Sequence, residues 1–96
     1  MNEKKLFQQK KQAQLDKWKA EVNKFKARAS GASADAQLGL NKQIEVLEGK
    51  IEEGKTKLAE IRVASEDSWE SIKEGVETAW DSMRSAFSGA AAKFKK

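Results

Sequence analysis

Apolar residues recur through the first third of the chain at alternating steps of three and four positions. This heptad pattern places them on one side of an α-helix, where they can pack against another helix. It predicts a first helix over about residues 3–29, with Leu6 and Phe7 out of register and the first turns frayed. This first apolar seam consists of Leu15, Trp18, Val22, Phe25, Ala29 and Ala32.

The middle of the chain carries the most regular heptad and predicts a second helix over about residues 34–64. A turn is expected before it, at residues 30–33, because Gly costs about 1 kcal/mol in a helix interior and Ser favours helix caps. Gly54 lies on the seam, where the missing side chain either admits another helix closely or leaves a weak point. The second seam consists of Leu40, Ile44, Leu47, Ile51, Gly54, Leu58 and Ile61.

An internal repeat marks the last third of the chain. Residues 68–76 align with residues 79–87, eleven positions later, and Trp, an acidic residue, Ser and a basic residue recur in the same places. Eleven residues make three helical turns, so the repeat predicts one helix with a persistent apolar face. That face consists of Trp69, Ile72, Val76, Trp80, Met83 and Phe87.

The boundaries of this third helix are predicted from its flanking residues. Ser65 is a suitable N-cap, and the two acidic residues after it suit the positive end of a helix. Gly89 is expected to end the helix, because Gly is common just beyond helix C-termini. The sequence therefore predicts a helix over about residues 66–88, followed by a basic tail at residues 90–96.

Three helical segments of similar length predict an all-α fold, and residues 1–96 are expected to form a single domain. The favoured architecture is an antiparallel coiled coil in the form of an up-down-up three-helix bundle. The alternative joins residues 1–64 into one long helix, since a stutter would carry the apolar phase through the predicted turn. That long helical hairpin would oligomerise through its exposed seam.

Charge is distributed unevenly along the chain. Residues 1–28 hold nine basic and three acidic residues, whereas each of the two later segments holds five basic and six acidic residues. In an up-down-up bundle the first and third helices lie side by side, so lysines flanking the first seam would face acidic residues of the third helix. This complementarity favours the bundle. The acidic row consists of Glu66, Glu70, Glu74, Glu77 and Asp81.

The chain contains no His, no Cys and no Pro. Without His, the eight serines have no imidazole base to activate them. Carboxylates along one helix would bind a cation only weakly, because no loop wraps the ion. The sequence therefore predicts no enzyme, no catalytic or metal site, no cofactor and no small-molecule substrate. No signal peptide or apolar run of roughly 20 residues occurs, which indicates a cytoplasmic protein.

The expected partner is another protein or a second copy of the chain, because strict heptad phase is typical of coiled coils. The alternative is a peripheral membrane protein in which Phe7, Trp18 and Phe25 anchor a basic helix to anionic lipid. Trp69 and Trp80 favour a core role over lipid contact, because the polar face beside them is acidic. Nucleic acid is disfavoured, because no basic and aromatic pattern of a known module occurs.

Five stretches of the chain together form a familiar pattern, namely residues 3–5, 13–18, 34–38, 42–45 and 74–82. They resemble a family of short bacterial coiled-coil stress-response proteins. The resemblance covers most of the chain, and the Trp-containing last segment contributes most to it. It implies a non-enzymatic, stress-related helical protein with no defined functional residues. The chain departs from the family pattern at Gly31, Gly39, Gly49 and Gly54, which argues against one unbroken helix.

Overall fold

A computed structural model describes residues 3–94 and shows three α-helices in an up-down-up arrangement, which confirms the predicted all-α three-helix bundle. They are α1 (Glu3–Ser30), α2 (Ala34–Val63) and α3 (Trp69–Phe94). The bundle measures 51 × 19 × 18 Å, so each helix runs most of its length. None of the described helices is both long and apolar enough to cross a membrane.

A short turn separates α1 from α2, so residues 1–64 do not form the single helix of the alternative architecture. Ser33 is the N-cap of α2, and its hydroxyl accepts a hydrogen bond from the backbone N–H of Ala36 at 3.4 Å. The amide of Gln37 donates to the carbonyls of Ser30 and Ala32 at 3.3 and 3.2 Å. Local hydrogen bonds thus satisfy backbone groups that the interrupted helix leaves without partners.

The junction between α2 and α3 is longer than predicted, because α3 begins at Trp69 and not near residue 66. Ser65 is therefore not the N-cap of α3; its hydroxyl accepts a hydrogen bond from the backbone N–H of Ser68 at 3.3 Å, within the turn that precedes the helix. Lys4 of α1 donates to the carbonyl of Ala64 at 2.6 Å. This hydrogen bond holds the first turn of α1 against the junction between α2 and α3.

The prediction that Gly89 ends the third helix is wrong, because α3 continues to Phe94. Gly89 lies exposed within the helix, at a cost of about 1 kcal/mol relative to Ala. Beyond it, Ala90 and Phe94 are buried, and burial of a Phe side chain outweighs that cost. Most of the predicted basic tail is therefore ordered helix, and Lys95 and Lys96 lie outside the described residues.

The start of α1 also differs from the prediction of frayed first turns. The helix begins at Glu3, and Phe7 is half-buried with its ring centroid 5.8 Å from that of Trp69. Phe7 is out of register with the heptad seam, yet its ring packs on α3 as the seam residues Trp18 and Phe25 do. Leu6 is 42% exposed.

Candidate binding surface

The three helices are spaced unequally. The backbones of α1 and α2, and those of α2 and α3, approach each other along their lengths, whereas α1 and α3 approach at few points. Aromatic side chains fill the wider α1–α3 space, since large rings hold two helices further apart than aliphatic residues do. The five ring pairs there are Phe7–Trp69, Trp18–Trp80, Trp18–Phe87, Phe25–Phe87 and Phe25–Phe94, with centroids 4.4–6.2 Å apart.

Gly54 of α2 lies beside these rings, and side chains of α1 and α3 occupy the space that a side chain at this position would take. An added Cβ would lie 2.9 Å from Met83 Cε, 3.2 Å from Leu15 Cδ2 and 3.2 Å from Trp80 Cη2. The glycine on the second seam is therefore a point of close approach and not a weak point. Trp80 is 0% exposed, and its indole Nε1 is buried without a hydrogen-bond partner among the described residues.

An ion pair between Lys11 and Glu77 lies beside the aromatic side chains that fill the space between α1 and α3. Lys11 Nζ lies 2.7 Å from Glu77 Oε1, and the Lys11 side chain is only 13% exposed. The ammonium group lies 5.3 Å from the Phe7 ring centroid and 5.8 Å from that of Trp80, within cation–π range. The side-chain hydrogen bond from Lys11 lowers the pKa of the Glu77 carboxyl. The positive charges of Lys11, Lys73 and Arg84 lower this pKa further, whereas burial raises it.

The acidic row of α3 is only partly paired with α1. Glu77 has its partner in Lys11, and Asp81 pairs with Arg84 of its own helix at 3.0 Å. Within residues 3–94, Glu70 and Glu74 are exposed and make no ion pair. Glu77 of the acidic row therefore contacts α1, but its partner Lys11 is not among the lysines predicted to face that row, which are Lys10, Lys17, Lys19, Lys24 and Lys26.

A shallow groove runs between α1 and α3 on the face of the bundle opposite α2. Trp18 is partly exposed at its floor and stacks on Phe87 with centroids 5.5 Å apart. No residue of α2 contributes to the groove, which opens to solvent along its length. The residues that line it are Gln14, Lys17, Trp18, Glu21, Arg84, Phe87, Ser88 and Ala91.

Charges of both signs line this groove, namely Lys17 and Glu21 on α1 and Arg84 on α3. Lys17 lines the groove, and Lys10 and Lys24 lie seven residues to either side of it on the same stripe of α1. Three carboxylates of α3, Glu70, Glu74 and Glu77, precede Arg84 by 14, 10 and 7 residues and do not line the groove.

The structure places most of the predicted seam residues in the core. Trp18, Leu40 and Ile72 are half-buried and pack against it. The buried members are Leu15, Val22, Phe25, Ala29, Ile44, Leu47, Ile51, Gly54, Leu58, Ile61, Trp69, Val76, Trp80, Met83 and Phe87. Sequence reasoning missed the buried Ala90 and Phe94 because it ended the third helix too early, although Phe94 continues the apolar face of α3 at a step of seven from Phe87.

Chemistry-bearing groups do not converge elsewhere on the described surface. Among residues 3–94, no three acidic side chains come together in a way that could hold a metal ion. Lys26 pairs with Glu48 at 2.7 Å, which joins α1 to α2, and Lys55 pairs with Glu52 at 3.3 Å. These exposed pairs are structural contacts of the kind that contribute little to stability.

A family model for the TMP repeat matches two consecutive segments of α3, residues 69–79 and 80–90. Each segment is eleven residues long and begins with a tryptophan, Trp69 or Trp80. The match therefore has the period of the internal repeat, and it covers less than a quarter of the chain. No curated protein and no solved structure matches the chain.

Proposed function

We propose that this chain is a non-enzymatic binding protein of the bacterial cytoplasm that acts through protein–protein contacts. The observation that carries the proposal is the groove between α1 and α3, which combines a partly exposed Trp18 with charged residues of both signs, Lys17, Glu21 and Arg84. Aromatic residues and complementary charge are the features that protein interfaces use. A role under stress conditions rests on the resemblance of the sequence to the bacterial stress-response family.

The rival membrane function requires aromatic anchors that are free to enter lipid. Phe25 is 4% exposed and stacks on Phe94 with centroids 4.4 Å apart. Phe7 and Trp18 also contact rings of α3. Insertion of Phe25 into lipid would therefore require α1 to separate from α3, which favours the protein-contact function of the closed bundle.

A site-specific photo-crosslinker tests the proposal in living cells. Placed at Ser88, which lines the groove, it should give discrete protein adducts. Placed at Glu60, an exposed position of α2 on another side of the bundle, it should give none. Adducts at both positions, or at neither, would count against a specific protein-binding face. Flotation of the purified chain with anionic vesicles would support the membrane function instead.

A further inference from the structure

We propose that a second groove of the bundle, between α1 and α2, binds an acidic helix of a partner protein. The inference rests on the proposed protein-contact function and adds a second face to it, which we call the α1–α2 groove. This groove shares no lining residue with the groove between α1 and α3. The residues that line it are Lys5, Gln8, Gln9, Gln12, Lys55, Leu58, Ala59 and Arg62.

The charge of the α1–α2 groove is entirely positive. Lys5 lies on α1, Lys55 and Arg62 lie on α2, and no carboxylate is among the residues that line the groove. All three of these basic residues are exposed. Lys55 pairs with Glu52 of its own helix at 3.3 Å, an exposed contact of the kind that contributes little to stability. An anionic occupant is therefore the one that the charge of this groove complements.

The basic residues lie at both ends of the groove. Because α1 and α2 run in opposite directions, Lys5 lies at the level of Arg62, and Gln12 lies at the level of Lys55. Seven residues separate the two levels on each helix, which is about 10 Å at a rise of 1.5 Å per residue. Acidic residues seven positions apart lie on the same side of a helix at this same distance. An acidic helix can therefore place a carboxylate at each end of the groove.

The middle of the groove suits a protein segment. Gln8 and Gln9 of α1 lie there, at the level of Leu58 and Ala59 of α2. A carboxamide both donates and accepts hydrogen bonds, as polar side chains of a protein partner do, whereas the oxygens of a phosphate group are acceptors. Leu58 and Ala59 add apolar surface that aliphatic side chains of a partner can cover. A peptide helix uses both features, and a phosphate group uses only the donors.

Acidic residues beyond one end of the groove limit the length of the occupant. Asp16 accepts a hydrogen bond from the Gln12 amide at 3.0 Å, and Glu52 is the partner of Lys55. The positive stretch is therefore about 10 Å long, which two turns of a helix span. Nucleic acid or an anionic membrane surface would require a longer run of positive charge. The next part of the space between α1 and α2 has charges of both signs, namely Lys19, Lys26, Glu48 and Glu52.

Titration of the isotope-labelled chain with a designed peptide tests the proposal. The probe is a blocked, helical, alanine-based peptide with glutamates seven positions apart, and the control peptide carries glutamine in their place. The glutamate peptide should shift the side-chain amide signals of Gln8, Gln9 and Gln12 in NMR spectra, with an affinity that falls as salt is added. The glutamine peptide should bind at least about tenfold more weakly.

Charge-removal variants locate the binding on the surface. Lys5→Gln with Arg62→Gln removes the two cations at one end of the groove and should weaken binding of the glutamate peptide by about fivefold or more. Lys24→Gln with Lys42→Gln is the matched control, because it makes the same charge change at exposed positions that do not line the groove. This control should bind like the wild type, and circular dichroism should show that both variants are folded.

Other outcomes overturn the proposal. Equal binding of the two peptides, or an equal loss of binding in the Lys24 and Lys42 control, excludes recognition of carboxylates by this groove. Pyrophosphate that shifts the same amide signals at a lower concentration than the glutamate peptide would assign the groove to phosphate. Flotation with anionic vesicles that Lys5→Gln with Arg62→Gln abolishes would assign it to lipid. The crosslinker at Ser88 reports on the groove between α1 and α3, so the two proposals can fail independently.

Discussion

Gly54 offers the sharpest test of the packing, because its neighbour on the same helix, Gly49, provides a matched control. Both residues lie inside α2, and neither has a positive φ angle. Replacement of either by Ala removes the same backbone entropy from the unfolded chain and adds about 0.5–1 kcal/mol of helix stability. Any difference between the two variants therefore reports the space around the added methyl group.

The surroundings of the two positions differ completely. A Cβ added at Gly49 would meet no atom within 4 Å. Gly49→Ala should therefore raise the free energy of unfolding by the whole gain in helix propensity, about 0.5–1 kcal/mol. A Cβ at Gly54 meets Met83 Cε at 2.9 Å, and the flexible end of Met83 can move aside. The contacts at 3.2 Å with Leu15 and Trp80 are harder to relieve, since both side chains are 0% exposed.

Overpacking of a filled core costs roughly 1–3 kcal/mol. Subtraction of the helix-propensity gain leaves Gly54→Ala destabilised by up to about 2.5 kcal/mol. In a domain of this size, each kcal/mol changes the melting temperature by about 4–8 °C. In thermal and urea unfolding, Gly49→Ala should therefore be more stable than the wild type, and Gly54→Ala should be less stable. Equal stabilisation by both substitutions would refute the close approach of α1 and α3 to α2 at Gly54.

Three further predictions concern side chains of the α1–α3 interface. Trp80→Ala should destabilise the fold by about 3–5 kcal/mol in urea unfolding, because the ring is fully buried; an unchanged unfolding midpoint would contradict its core position. Phe94→Ala should cost about 3 kcal/mol, whereas the exposed Lys93→Ala should change stability by less than about 0.5 kcal/mol; equal small effects would mean that α3 ends before Phe94. Because the pKa of Glu77 is lowered in the folded state, its stabilisation is present above the ordinary carboxyl pKa and disappears as pH falls through the folded value. Glu77→Gln should therefore lower the free energy of unfolding by less than about 1 kcal/mol at neutral pH and leave it unchanged in strong acid. When Lys11 is already replaced by Met, Glu77→Gln should have no effect at either pH. A loss of stability that persists in acid, or in the Lys11→Met variant, would exclude the ion pair as its cause.

The fold was predictable because its strongest signals are local. Heptad spacing identifies the faces of α1 and α2, and Gly31 with Ser33 marks the turn between them. The same reasoning failed at Gly89, where a propensity rule for helix ends was applied without knowledge of the packing beyond it. Phe94 packs on Phe25, which is 69 positions earlier in the sequence, and no local pattern contains that contact.

The binding surface was less predictable than the core. The lysine and acidic rows were visible in the sequence, and a side-by-side bundle predicted that they would neutralise each other. That inference treated the helices as equally spaced. The rings of Trp18 and Phe87 hold α1 and α3 apart, and the inward-pointing Lys11 reaches across to Glu77. The sizes of the side chains, and not their pattern, decided which charges remain exposed.

The different repeats of the three helices explain why the groove occurs where it does. The seam of α2 is built from aliphatic residues and Gly54, so both neighbouring helices pack closely against it. The eleven-residue repeat of α3 returns Trp69 and Trp80 to one face after three helical turns, toward the aromatic residues of α1. Close packing on one helix and wide packing between the other two make a bundle with an unequal cross-section. The wide side is the side where Trp18 reaches solvent, because rings that separate two helices cannot also cover the opening between them.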